Sequence, residues 1–352
     1  MSVESAPRPA AVHSGWGTQI VKGGFEHRPI VGAFDPTPFD SAPTKSYFGL
    51  PLMCTWFYLN WRDDEGNLYE AHRTILGLEA SVGFLLNAPA GGELRQWAPS
   101  ADQRFFSGTV ITAVDKESHR IFSRPSERNY AAGMPFECKR THEGLEYHEG
   151  DTVQFTGRRI GPGMQFYVPT GETPLYYTSI QHRISGHCLG RPAEGFLWWD
   201  QCYLPPGVTW RNSDYFKWAE LAWTVVGNEY EDGSMDVGHI CYGADGFNFA
   251  FIVNERGEVK HCTTDVTARD IEYKPNTFPG HMYYVVDGQD WEWTVDPIGD
   301  CPDMASGQDN YRSSEGYLRR AGEQRKPVVW HAYNEFFPRS IQRWQAAVVQ
   351  SD

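Results

Sequence analysis

LMCTWFYLNWR, residues 52–62, alternates with a period of two: Thr55, Phe57, Leu59 and Trp61 fall on one side, Trp56, Tyr58, Asn60 and Arg62 on the other. That period belongs to a β-strand. One face is apolar and the other passes from aromatic to polar, as expected of a wall lining a cavity. Asp63-Asp64-Glu65-Gly66 follows as a turn, and Asn67 to Leu76 reads as the returning strand of a hairpin with a Gly-containing loop.

The same pattern recurs downstream. Met235 to Tyr242 and Phe247 to Val253 read as strands joined at Ala244-Asp245-Gly246, with Phe247, Phe249 and Phe251 on one face. Asn254-Glu255-Arg256-Gly257 then turns into a third strand near Val259 to Thr264, completing a meander. Two strand-rich halves with similar hairpins hint at an internal duplication. Between them, YYTSIQHRISGH and GFLWWDQCYL read as two more strands, linked through Arg191 to Gly195 and stopped by Pro205-Pro206-Gly207. Helix signals are confined to Asp214 to Trp223 and Ser340 to Val348. Gly23 to Lys45, with Pro29, Pro36, Pro38 and Pro43, reads as loop.

Composition points the same way. Thirteen Trp, 18 Tyr and 20 Phe stand among 35 Gly and 23 Pro, which favours pleated, half-buried surfaces and short turns over long helices. The fold class expected is mainly β. A chain of 352 residues is long for a single domain, and two domains are expected. A net charge of −14 without a Lys/Arg cluster argues against nucleic acid or an anionic membrane surface as partner. No apolar stretch approaches a membrane span. Met1 to Ala11 has no apolar core of a signal peptide, and the seven scattered cysteines include no C-x-x-C, so a reduced cytoplasmic setting is expected. A homo-oligomer is compatible with all of this.

Several familiar sites are missing from the sequence. There is no G-x-S-x-G, no G-x-G-x-x-G opening a helix and no P-loop, so no nucleotide cofactor is expected. His182 and His187, five apart on a strand, point to opposite faces. The acidic run THEGLEYHEGD, His142 to Asp151, offers ligand types for a metal but reads more simply as a solvated hairpin tip. No metal is assigned.

The densest meeting of aromatic and ionisable groups is Phe196 to Tyr203. There Trp198, Asp200 and Cys202 share one face and Trp199, Gln201 and Tyr203 the other. A carboxyl among large aromatics is desolvated, which raises its pKa and suits it to proton transfer. The alternative is that Asp200 caps a turn or pairs with Arg183 or Arg191. A second polar stripe, His331, Tyr333 and Glu335, is either functional or the exposed face of a last strand. His182 and His239 sit within strands and read either as general bases or as satisfied wall residues.

Two segments carry a family resemblance. WFYLNWRDDEGNLYEAHRT, Trp56 to Thr74, resembles the W-W-Y-f-x-G-x-L-x-D-x-x-G-x-x-Y-x-x-x-x-T hairpin of the carotenoid 1,2-hydratase (hydroxyneurosporene synthase) and kievitone-hydratase-like group. GHCLGRPAEGFLWWDQCY, Gly186 to Tyr203, is similar to that group's Gly-rich strand ending in aromatic-Asp-His-x-Trp, with Asp200 at the Asp, Gln201 at the usual His and Tyr203 at the usual Trp. The likeness spans roughly Tyr47 to Phe337. It implies two calycin-like (lipocalin-like) antiparallel β domains in tandem, here 23–185 and 186–345, after a disordered leader (1–22) and before a short tail (346–352).

The resemblance also implies addition or removal of water, or isomerisation, at a double bond of a hydrophobic terpenoid, steroid or aromatic molecule without a cofactor. In that scheme Asp200 delivers the proton, Trp56, Tyr58 and Trp199 line the developing cation, and His182 or Glu335 places the water. His239 is a further acid–base candidate, and Trp198, Tyr203, Phe249 and Tyr333 complete the expected substrate wall. Two other readings stay open: a non-catalytic carrier of hydrophobic ligands, and a cofactor-free cyclase or C–C lyase.

Overall fold

The computed structural model describes residues 27–86, 93–97, 105–124, 134–169, 173–305 and 310–349. The expected leader falls outside this range. Every ladder in its two sheets is antiparallel, and the molecule is mainly β as expected.

The first sheet contains a closed ring of ten strands. From Leu175–Cys188 the ring passes through Val153–Arg159, Gly144–Glu149, Phe136–Arg140, His119–Ser123, Gly108–Val114, Glu79–Leu86, Leu68–Leu76, Leu50–Asp63 and Arg191–Tyr203, and so back to its start. Leu175–Cys188 bonds Arg191–Tyr203 along its whole length on one side. On the other side its second half bonds Val153–Arg159, while its first half bonds Gly163–Val168. Gly163–Val168 in turn pairs with Ile30–Phe34, a strand inside the Pro-rich segment expected to be loop.

The second sheet runs Val259–Thr263, Phe249–Val253, Met235–Gly243, Glu220–Tyr230, Asn334–Phe336, Arg312–Arg320, Gln289–Asp300, Pro279–Val286, Val266–Tyr273, with Pro327–His331 beside the far half of Glu220–Tyr230. It curls without closing. The helix Pro338–Val349 follows the last strand and buries Ile341 in the curl. The sheets change over in residues 204–219; the hairpin of Leu175–Cys188 and Arg191–Tyr203 lies wholly in the first and spans positions 185 and 186. The short helix expected over Asp214 to Trp223 is present as a π-helix, Tyr215–Ala219, and ends there because a strand begins at Glu220.

Strand parity explains the three apolar cores. Phe57, Leu59, Trp61, Leu197 and Trp199 fill the barrel. Phe196, Trp198 and Cys202, of opposite parity, meet Trp223, Val225, Phe249 and Phe251 of the second sheet. Leu221, Ala222, Val226 and Ile240 face into the curl with Trp291 and Trp293. Glu220–Tyr230 is therefore covered on both faces, which is why its sequence reads as an almost continuous apolar run rather than an alternation. Fully burying each of these large side chains contributes roughly 1.5–3 kcal/mol.

Polar cross-links also join the sheets. Arg62 donates to Asp296 at 2.7 Å, and Asn60 donates to Glu315 at 3.0 Å. The acidic run is no solvated tip along its whole length: Leu145, Tyr147 and Glu149 point into the barrel, where Glu149 takes two hydrogen bonds from Arg73. Among the described residues no helix is long and apolar enough to cross a membrane.

Candidate active site in the cleft between the sheets

A cavity of about 550 Å³ lies between the barrel wall and the second sheet. The barrel contributes the outward face of the opening hairpin. Its register sets Trp56 opposite Thr74, Tyr58 opposite His72 and Asn60 opposite Glu70, and Trp56, Tyr58, His72 and Thr74 all line the cavity. The second sheet supplies Trp223, Tyr311 and Glu335, and the changeover segment adds Trp210, Arg211 and Phe216. Trp56 stacks on Tyr177 at 6.2 Å and meets Trp210 edge-on at 6.1 Å, so the walls are aromatic faces and edges.

Besides Arg211, three sets of acid–base groups meet this cavity or stand directly behind it. Glu335 accepts a 2.8 Å hydrogen bond from Tyr311, whose hydroxyl also lies 3.0 Å from that of Tyr333. Burial raises the pKa of Glu335, and the charge of Glu70 adds to this; His72, the Tyr311 hydroxyl and Arg211 pull it back. Glu220 stands near Glu335 with neither carboxyl oxygen bonded among the described residues, and burial followed by the Glu335 charge pushes it well up. The pair thus favours carrying at most one negative charge.

His72 is the second group. Its Nε2 bonds the buried carboxyl of Glu70, and its ring is held edge-on by Tyr58 at 4.6 Å and Tyr333 at 4.8 Å. Glu70 also accepts from the Cys301 thiol at 3.5 Å. A carboxyl group behind an imidazole orients the ring and sets which nitrogen is left free, the arrangement of a general base.

Asp200 is the third. It is completely buried, and its Oδ2 accepts a 2.7 Å hydrogen bond from the Tyr177 hydroxyl, which lines the cavity. Burial raises its pKa to about 7 against the pull of Ser179 and Tyr177. Among the described residues no arginine pairs with it: Arg183 goes to Glu194 and Glu229, and Arg191 to Asp63, Asp64 and Glu65. Ser179, its partner across the ladder, bonds Nε2 of His239 at 2.7 Å. Burial holds His239 down at about 3, so it is a neutral imidazole. Asp200 does not itself line the cavity; Tyr177 stands between.

The expected site residues separate by parity. Trp56, Tyr58 and Glu335 line the cavity. Tyr333 stands behind it, bonded to Tyr311. Trp198, Phe249 and His239 pack in the intersheet core without reaching it. His182 and Trp199 point the other way, into the barrel, so neither can act with Asp200 on one substrate; Tyr203 lines a different cavity at the barrel mouth. The stripe from His331 is not an exposed strand face: His331 is buried, bonding Glu315 at 2.9 Å. Among the described residues no three His, Cys, Asp or Glu are grouped to hold a metal ion.

Glu70, His72, Tyr177, Glu220 and Tyr311 were not singled out in the sequence. A signal existed for the first two. Glu70, His72 and Thr74 share the parity that the hairpin places opposite Asn60, Tyr58 and Trp56. Tyr311 and Glu220 carry no such signal, because they enter from elements distant in the chain.

No family model matches the chain, and no curated protein matches it by sequence. Among solved structures, a Nitrosomonas europaea protein with a provisional AttH assignment superposes with a TM-score of 0.48 at 16% identity, covering 87% of this chain and 98% of its own. Kievitone hydratase from Nectria haematococca superposes with a TM-score of 0.40 at 10% identity, covering 90% and 98%. Overlaps this loose say nothing about chemistry.

Proposed function

We propose that this protein is an acid–base lyase or isomerase of hydratase or dehydratase type, acting on a hydrophobic small molecule in the cleft between its sheets. The observation that carries the reading is Glu335: a carboxyl biased toward its neutral form, on the wall of an aromatic cavity that also holds the His72–Glu70 pair. The volume suits a molecule of roughly terpenoid or steroid size.

In the hydration direction Glu335 gives its proton to one alkene carbon and becomes a carboxylate. The cation left on the other carbon is stabilised by the faces of Trp56, Tyr58 and Trp223. A water adds to that carbon and loses its proton to His72, held by Glu70. The proton on His72 and the charge on Glu335 then cancel through solvent or bound water. Dehydration runs these steps backwards, and isomerisation omits the water and removes a proton from a neighbouring carbon. Asp200 acts through Tyr177, whose hydroxyl it orients. This differs from the assignment expected from the sequence, where Asp200 itself was the donor.

The test is solvent-isotope incorporation. Geraniol, 4-vinylphenol and androst-5-ene-3,17-dione are incubated with the protein in deuterium oxide and analysed by mass spectrometry, and their binding is followed by quenching of tryptophan fluorescence. The expected result is deuterium in at least one probe with the native protein and none with Glu335→Gln, which still binds it. Tight binding without incorporation in the native protein would make the cleft a carrier's.

A further inference from the structure

The barrel interior holds two arginines that are completely buried, and they are treated differently. Arg73 is matched by the carboxylate of Glu149 through hydrogen bonds of 2.7 and 2.6 Å. No carboxylate bonds Arg140 among the described residues, and the charge of the nearby Asp40 acts on it only from a distance: its Nη2 donates to Ser41 Oγ at 2.7 Å and to the Thr37 carbonyl at 3.1 Å, while Nε and Nη1 meet no hydrogen-bond acceptor among the described residues. A buried cation without a counter-charge is strongly disfavoured, and such groups are ordinarily paired.

Beside Arg140 stands a second group of donor type. The Arg140 guanidinium lies 5.3 Å from the Trp199 ring, and the indole Nε1–H of that tryptophan has no partner among the described residues. His119, directly across the ladder, is 2.8 Å from Ser41 Oγ through Nδ1; because the Ser41 hydroxyl already donates to the Pro38 carbonyl at 2.8 Å, Nδ1 carries the proton and Nε2 is an acceptor without a partner among the described residues. Arg159 is taken by Asp35 at 2.7 Å. Above this group a separate cavity of about 250 Å³ opens at the barrel mouth, with Ser41 and Gln201 among its polar walls and Phe34, Tyr47, Tyr176 and Tyr203 among its aromatic ones. Gln201 donates to the Ser41 carbonyl at 2.9 Å, so Ser41 links the cavity to Arg140. Asp40 is the one carboxylate lining this cavity among the described residues, and it already accepts from Thr37 N and Oγ1 at 2.8 Å each.

We propose that the floor of this mouth cavity, with Arg140 behind it, binds a monovalent anion: an inorganic halide, or the carboxylate of a small acid whose apolar part fills the aromatic mouth. The site is distinct from the cleft between the sheets and independent of the chemistry proposed there.

The experiment uses the full chain in sodium sulfate at fixed ionic strength, titrated with sodium bromide or sodium hexanoate, with thermal midpoint and tryptophan fluorescence as readouts. A saturable response to at least one is expected, retained by Arg120→Gln, which alters an exposed arginine paired with Glu137, and lost in Arg140→Gln. Should Arg140→Gln not fold, Ser41→Ala is expected to weaken the response about tenfold by removing a hydrogen bond to the charged group. Crystals grown in bromide should show its anomalous signal beside Arg140. Competition between hexanoate and bromide identifies an organic acid's site, and a response to bromide alone a halide site. A non-saturable response, an unchanged one in Arg140→Gln or Ser41→Ala, or a bromide peak only elsewhere overturns the proposal.

Discussion

The Tyr177 hydroxyl donates a 2.7 Å hydrogen bond to Asp200, so a phenol on the cavity wall is the contact between a completely buried carboxyl and the cleft. Because that carboxyl titrates near 7 when folded and near 4 when unfolded, the folded state holds its proton more tightly. Its contribution to stability is therefore greatest below about pH 4, falls as pH rises toward 7 and is level above that, a total on the order of 4 kcal/mol. Asp200→Asn removes this dependence. Urea midpoints measured from pH 4 to 8 should show the variant gaining on the native protein across that window and no further above it; parallel curves would contradict the assignment.

His72 and Glu70 are expected to act as a unit. His72→Gln should lower turnover by about 100-fold or more, in the range of lost general-base catalysis. Glu70→Gln, which removes the carboxyl that orients the ring, should also lower turnover while leaving substrate binding in place. Unchanged turnover in Glu70→Gln would remove the pair from the mechanism.

Gly227 is a point of close approach between the two sheets. A Cβ there would meet the Phe196 ring of the barrel at 2.5 Å, and that ring is completely buried. Gly227→Ala should cost about 1–3 kcal/mol as an overpacking change. The companion Phe196→Leu, which opens room, should recover part of the loss in the double variant, measured by a urea double-mutant cycle.

Arg73 and Glu149 are both buried inside the barrel, away from the cleft. Glu149→Ala leaves the guanidinium without its counter-charge and should destabilise by about 3–5 kcal/mol. Exchanging both for apolar residues of similar size, Arg73→Met with Glu149→Leu, should recover most of that loss. Equilibrium unfolding with the three variants checks it.

Much of the fold could be read from local pattern. The alternation of residues 52–62 located the barrel wall, and its aromatic-to-polar face is the one that lines the cleft and then bonds Asp296 and Glu315. Ile30–Phe34 was not legible, because among prolines its five residues carry no period and its partner strand, Gly163–Val168, lies far along the chain. The helix at Tyr215–Ala219 was expected to run on to Trp223 for a related reason: a strand covered on both faces loses the alternation that would have announced it at Glu220.

For the site, the sequence by itself determined which residue types share a strand face, since parity is a property of the extended backbone and needs no partner. Thus Trp56 and Tyr58 were placed together, and Asp200 with Trp198 and Cys202. What only the tertiary structure decided is which of those faces meet. Asp200 turns out to stand behind Tyr177, Glu335 arrives opposite the hairpin from more than 250 residues away, and His182 is turned into the barrel. Closing the ring assigns each face to the barrel or to the cleft, and that closure depends on long-range ladders which no local pattern encodes.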